Sequence, residues 1–419
     1  MSINAKLLTL RSLFVAMTSV QLVTAASSTL VALYFAETGA SQEAAALAPA
    51  FYSLGFLVGC FFIAGWISKI GHIRSFAAGA AICTVAALVF SVNEAVPFLL
   101  LARFTTGVAT AGLFAIGDAW ISESAGKGTR GRLLAVYAMV LGTMSVASQL
   151  LIQILPDDMD EAFVLISMLY CFAIVALTAA RTEPPPLKAP AKVRIIALFK
   201  DSPTASVGAF VIGAVQTTLL SVVPYRAAVL GVETKDIGLA IGILYLGRIV
   251  FMYPLGKVSD LIDRRLVILF GSILASILLA GIAILGSGDE TAYILAAGPA
   301  SQAIQLVAFL LLGGSLLTLF SLLKAHAMDR SPPVYVASAS VTMLFVNTLG
   351  AALGPIMASA VSGILGDVAL FWFLVVTMVA FSVFTGLRML RKDATANAEK
   401  TYYSDAPVTS VELTPKAKR

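Results

Sequence analysis

From Ile237 to Leu255, and again from Leu266 to Leu285, the chain is almost wholly apolar. Coiled as a helix at ~1.5 Å per residue, either run is long enough to cross a bilayer core of ~30 Å. Between them sits a charged stretch, P-L-G-K-V-S-D-L-I-D-R-R from Pro254 to Arg265, read as a short loop joining two membrane-spanning helices. Runs of this length recur throughout the sequence. Of its 419 residues 59% are hydrophobic and 12% charged, against ~25% charged in a soluble domain, an excess that no soluble core absorbs. Lipid cannot satisfy backbone polar groups, so the spanning segments must be helices or a closed barrel. Continuous apolar runs, without alternation, exclude the barrel.

The apolar runs predict twelve helices, at 13–35, 45–68, 74–92, 97–120, 133–154, 162–180, 204–228, 237–255, 266–285, 302–324, 337–361 and 368–388. Six fall on either side of one polar segment, Arg181 to Asp201, which carries P-P-P and the basic residues Arg181, Lys188, Lys192, Arg194 and Lys200 and reads as a linker. The organisation expected is a bundle over 1–181, a linker over 182–201, a second bundle over 202–392 and a disordered tail over 393–419, which lacks apolar periodicity. The first run resembles a signal peptide at its start, but it continues to Phe35, too long for such a segment.

Counting Lys and Arg by loop orients the chain. With the N-terminus in the cytoplasm, that side holds all of the 28 basic residues except Arg103, Arg226, Lys235 and Arg248. The opposite side collects Asp157, Asp158, Asp160, Glu161, Asp289 and Glu290. Both termini are therefore expected in the cytoplasm, and the net charge of +5 reflects insertion and anionic lipid, giving no case for nucleic acid. Cys60, Cys83 and Cys171 each lie inside an apolar run and read as small core residues.

The Pro254–Arg265 stretch resembles the signature of the major facilitator superfamily, Gly-x-x-x-Asp-(Arg/Lys)-x-Gly-(Arg/Lys)-(Arg/Lys), through Gly256, Asp260, Arg264 and Arg265; Leu261 and Asp263 depart from it. A second, degraded copy stands half a chain away in A-G-W-I-S-K-I-G-H-I-R, where Lys69, Gly71 and His72 hold their places and Ser68 replaces the acid. The resemblance implies an all-α membrane protein of two pseudo-symmetric six-helix bundles, with one site between them near the bilayer midplane. It further implies that the signature loops, with Asp118, Arg130 and Arg132, form a latch made in one state of the rocking bundles and broken in the other. For Arg130 and Arg132, simple charge anchoring explains the residues almost as well.

An ionisable side chain deep in lipid costs at least ~2.5 kcal/mol, so each one demands a reason. Arg248 stands ~18 Å along its helix from Asp236 and ~12 Å from Gly256, too far from either end to snorkel. It is either a fork of donors for a substrate carboxylate or phosphate, or a buried structural partner; no acid lies at the same depth. Arg103, with Gly107, resembles the family's second motif, which implies a link to proton coupling, and an interfacial anchor is the alternative. Arg226, in V-P-Y-R, is an anchor beside Tyr225, or else a gate or a substrate contact. Gln21, Gln149, Gln153, Gln216, Tyr245 and Asn347 supply uncharged polar groups for a ligand or for helix packing at ~0.6 kcal/mol each. By the resemblance, Gln21, Gln149, Gln216 and Asn347 belong to cavity-lining helices. L-G-A-A-L-G-P, from Leu349 to Pro355, is a packing and hinge element.

No Walker loop, dinucleotide fingerprint, HExxH or nucleophile elbow occurs, so neither catalysis nor ATP coupling nor a cofactor is expected. The resemblance implies a monomeric secondary transporter in the bacterial inner membrane, leaning to efflux with a proton as the exchanged ion, while Arg248 and Arg103 favour a small solute of anionic or amphiphilic character. Uptake of an organic anion, transfer of a lipid headgroup and a non-transporting membrane sensor are the rivals.

Overall fold

The computed structural model describes residues 9–124, 130–156, 158–179, 193–288, 299–332 and 335–391. Twelve helices in it are long and apolar enough to cross a membrane. They are α1 (Arg11–Glu37), α2 (Gln42–Ile70), α3 (His72–Val92), α4 (Val96–Ser124), α5 (Arg130–Ile154), α6 (Met159–Thr178), α7 (Pro203–Val229), α8 (Thr234–Leu261), α9 (Arg264–Gly288), α10 (Pro299–Arg330), α11 (Val336–Leu365) and α12 (Ala369–Arg391). The tail and most of the segment between α6 and α7 lie outside the described residues. The last part of that segment forms a short helix, Ile195–Asp201, where the sequence suggests only linker. It is tied to α11 by the Arg194 amide, which donates to Thr342 Oγ1 at 2.9 Å, and by the Arg194 guanidinium 3.8 Å above the Tyr335 ring.

The helices run past the bounds that hydropathy suggests. α8 continues through Pro254, Gly256 and Asp260 to Leu261, so the loop expected from Pro254 to Arg265 shrinks to Ile262 and Asp263. Hydropathy marks where apolar side chains stop, whereas the backbone goes on closing hydrogen bonds for two more turns with charged residues on its surface. α10 likewise reaches Arg330 and α4 reaches Ser124.

Each half packs through small residues where helices cross. A methyl group on Gly55 would strike the Phe104 carbonyl and one on Gly107 the Tyr52 carbonyl, so α2 and α4 meet backbone to backbone. The counterpart pair six helices on, α8 and α10, repeats this through Gly247 against Leu310 and Gly313 against Leu244. In α7 and α11, Gly213 meets Asn347 and Gly350 meets Phe210. The two halves join mainly along α2–α11, α5–α8 and α1–α7. This is the expected pair of pseudo-symmetric bundles, and it leaves the space between them as the place for a site.

Of the cysteines, only Cys83 is buried; Cys60 and Cys171 lie on the outer surface. The core reading therefore holds for Cys83 and fails for the other two.

Candidate functional site

In α8, Ile237, Ile241, Leu244, Arg248 and Met252 follow three- and four-residue spacing and form one stripe. The stripe faces inward: Ile237, Ile241 and Leu244 are 0%, 4% and 3% exposed, while Leu246, Val250 and Tyr253 on the other side are 37%, 49% and 72% exposed. At Arg248 the inward stripe changes from closed to partly open, and Met252 beyond it is also partly open. Arg248 is close to the middle of its helix, ~20 Å from either end. None of the ion pairs among the described residues includes it. A guanidinium on an interior stripe, half open and with no carboxylate, has five donors to offer a ligand.

Candidate polar groups at a similar depth come from three helices. Ile249 packs on Gly142 of α5, where a Cβ would lie 3.4 Å from Ile249 Cγ1, so Arg248 and Gly142 share one depth. One turn along α5, Ser145 accepts a hydrogen bond from Gln21 Nε2 of α1 at 3.0 Å. Tyr245, one turn before Arg248, is within electrostatic reach of the guanidinium. Gln216 of α7 is half-buried one turn beyond the Gly213 crossing.

The remaining polar candidates have tasks within the protein. Gln149 is 1% exposed; its Oε1 accepts from Thr29 of α1 at 3.2 Å and its Nε2 donates to Ser148 at 3.1 Å. Its place is the α1–α5 seam. Asn347 Nδ2 donates to the Ala209 carbonyl at 2.9 Å, joining α11 to α7. Arg226 pairs with Asp367, at the start of α12, so its charge is answered inside its own half.

Arg103 is 6% exposed and lies among α2, α3, α4 and α6. Its guanidinium sits 4.8 Å from the centre of the Tyr52 ring, within electrostatic reach of Cys83 and Tyr170, and its Nε has no hydrogen-bond partner. Thr110 donates to the Tyr52 hydroxyl at 3.1 Å, which orients the ring. A cation held by ring faces and hydroxyls, without a carboxylate, is a rare arrangement in lipid.

The two signature regions differ. At the α8–α9 corner, Arg264 is 1% exposed and bridges Asp260 at 2.7 Å to Asp329 at 3.2 Å, tying α8, α9 and α10 together. Arg265 folds back on Asp263, with Nη2 2.8 Å from Oδ2 and the amide donating to Oδ1 at 3.0 Å. Burial would raise the Asp263 carboxyl, but the hydrogen bonds and charge of Arg265 outweigh it and hold the group below the ordinary carboxylate range. At the α2–α3 corner, Ser68 donates to the Gly65 carbonyl at 2.8 Å, and Lys69 is exposed. Gly71 turns the chain there with φ +83°, a value that favours glycine. Gly256 is buried; Arg130 and Arg132 fall in the first turn of α5, with side chains outside the described residues.

Asp118 is 4% exposed on α4 and interacts electrostatically with Lys324 of α10, itself 2% exposed, across the boundary between the halves. Sequence reasoning missed Lys324 and Asp329 as site residues: each stands near a helix end among other charges, and only packing selects its partner.

An apolar groove of about 420 Å³ between α3 and α4, lined by Ile82, Val85, Val89, Phe98 and Leu101, opens on the outer surface. It has no charged lining and is separate from Arg248.

The profile described as Major Facilitator Superfamily matches residues 13–355 and 205–413. A protein named "Uncharacterized MFS-type transporter YcaD" from Salmonella arizonae is 24% identical over 372 residues, covering 88% of this chain and 91% of the relative. Its counterpart from Escherichia coli O139:H28 is also 24% identical, over 376 residues, with 88% and 91% covered. Among solved structures, the nucleoside transporter NupG superposes with a TM-score of 0.73 at 13% identity, over 93% of this chain and 100% of that one. The peptide transporter POT bound to alafosfalin gives 0.71 at 12% identity, over 91% and 94%.

Proposed function

The chain belongs to the Major Facilitator Superfamily, whose members carry out secondary transport, and from that premise we propose that its solute is a small organic molecule bearing a carboxylate or phosphate, held by Arg248. One observation carries this reading. On the inward stripe of α8, Arg248 is the point at which the interior opens, and no acid of the described residues is paired with it. Leaving a guanidinium in that position without a partner is costly, and a bound anion offsets the cost. Tyr245, one turn before Arg248 and within electrostatic reach of it, would orient the rest of the solute, with Gln21 and Gln216 as further candidates.

The binding space lies between the halves, and the solute passes when they rock about it. We place the face with the signature corners in the cytoplasm of a bacterial inner membrane, following the distribution of Lys and Arg. Transport on this reading is export, with a proton moving the other way.

Counterflow in proteoliposomes with a panel of labelled organic anions, run with and without a pH gradient, tests it. The wild type should exchange at least one anion. Arg248→Ala should raise KM ~10- to 100-fold, the loss of ~1.5–3 kcal/mol in charge-assisted hydrogen bonding, and Arg248→Lys should recover part of it through charge without the fork. Undiminished exchange by Arg248→Ala would refute the assignment.

A further inference from the structure

We propose that the short helix Ile195–Asp201, with Arg194 before it, is a docking site for anionic phospholipid on the face of the signature corners, and that the bound lipid steadies the first turns of α11. The inference needs neither the identity of the solute nor the role of Arg248.

The helix packs across the ends of α7, α10 and α11. Of its seven residues only Leu198 is buried, and only Ser202 separates it from Pro203, where the membrane-spanning α7 begins. On the side away from Leu198, Ile195, Ile196 and Phe199 are 45%, 74% and 52% exposed. In a helix these three fall within one arc of about 100°, with Lys200, one turn on from Ile196, at its edge. Three bulky apolar side chains on one arc of so short a helix are costly in water. They suit the boundary between headgroups and acyl chains, where amphipathic helices lie.

Charge decides which lipid. The segment from Arg181 to Asp201 carries five basic residues against two acids, Glu183 and Asp201. Arg194 and Lys200 flank the apolar arc, both exposed, and no ion pair among the described residues includes either. The Arg194 guanidinium stands over the Tyr335 ring, 3.8 Å from its centre, so the ring takes one face of the cation and the N–H edge remains for phosphate oxygens. An acidic headgroup satisfies both cations, whereas a zwitterionic one brings an ammonium that they repel. A second copy of this chain fits less well, because a two-fold contact through this helix would set the same cations against each other.

Arg194 also passes the hold on to α11. Its amide donates to Thr342 Oγ1 at 2.9 Å, and its guanidinium covers Tyr335, the residue before the first turn of α11. Lipid that fixes Arg194 therefore fixes the end of a helix that forms part of the seam between the halves.

Hydrogen exchange on the full chain in nanodiscs tests this, comparing phosphatidylcholine alone with phosphatidylcholine mixed with phosphatidylglycerol. In the mixed discs, amide exchange over 194–201 and 336–342 should slow at least fivefold, which corresponds to ~1 kcal/mol for one basic residue near an anionic surface. The slowing should fade in high salt. Arg194→Gln combined with Lys200→Gln should abolish the difference between the discs, and Arg194→Lys with Lys200 intact should keep most of it. Ile196→Ser combined with Phe199→Ser should exchange faster than wild type in both discs. Equal exchange by the wild type in the two discs needs no variant and would overturn the proposal. So would a difference that survives loss of both cations, or apolar variants that stay protected. Protection that rises with the number of protein copies per disc, and not with phosphatidylglycerol, would overturn it in favour of a second copy.

Discussion

The α8–α9 and α2–α3 corners occupy equivalent places in the two halves and are built on opposite terms. In the first, a buried arginine is bridged to acids of two helices, and a second arginine is clamped by a neighbouring aspartate. In the second, serine stands in the acid's place, the lysine is exposed, and a glycine at positive φ makes the turn. One corner is fixed by charge, and the other, which shows no ion pair among the described residues, is turned by backbone shape. The difference teaches that a shared sequence pattern preserves a place in the fold while the interactions filling it are free to diverge, because the other half can carry them.

Three changes probe that contrast. Arg264→Ala removes the ion that compensates Asp329, whose side chain is 1% exposed, and should lower stability by ~3–5 kcal/mol, read as a fall in the melting temperature of the detergent-purified protein. A smaller effect is expected of Asp263→Asn. Its carboxyl is held below the ordinary range, so the clamp contributes stability above the unfolded-state value of ~3.9 and loses it as pH falls through the lower folded-state value. The variant should lose ~1–2 kcal/mol at neutral pH, and the difference from wild type should shrink at strongly acid pH in a thermal melt series. Lys69→Ala, at an exposed side chain, should change stability by less than ~0.5 kcal/mol. If Lys69→Ala proves as damaging as Arg264→Ala, the two corners are not divided in the way described.

Much of the architecture was legible in the chain because the bilayer reduces folding to a question of apolar length. Twelve spans, their division six and six, and the paired corners all follow from runs and motifs. Helix ends did not, since α8 carries Gly256 and Asp260 inside the helix: hydrogen bonding, not hydropathy, ends it. Of the candidate site, Arg248 stood out because its depth follows from counting residues. Gln149 looked equally fit to meet a ligand, yet it is spent on Thr29 and Ser148. Lys324 and Asp329 were indistinguishable from charges at a membrane surface until α10 was seen packed against its neighbours. Pairing across helices depends on rotation about each axis, which spacing along the chain does not specify.

The glycine crossings have a mechanical consequence. Where carbonyl meets glycine, as in α2–α4, α7–α11 and α8–α10, the crossing point itself holds no side chain that could change rotamer, so each such joint is stiff at that point. The α1–α5 seam, counterpart of α7–α11, is instead stitched by Gln21 to Ser145 and Thr29 to Gln149, contacts that can slip and re-form. Strain created when the molecule changes shape therefore drains toward α1 and α5, making that edge its soft hinge and the glycine-crossed pairs of both halves its rigid frame.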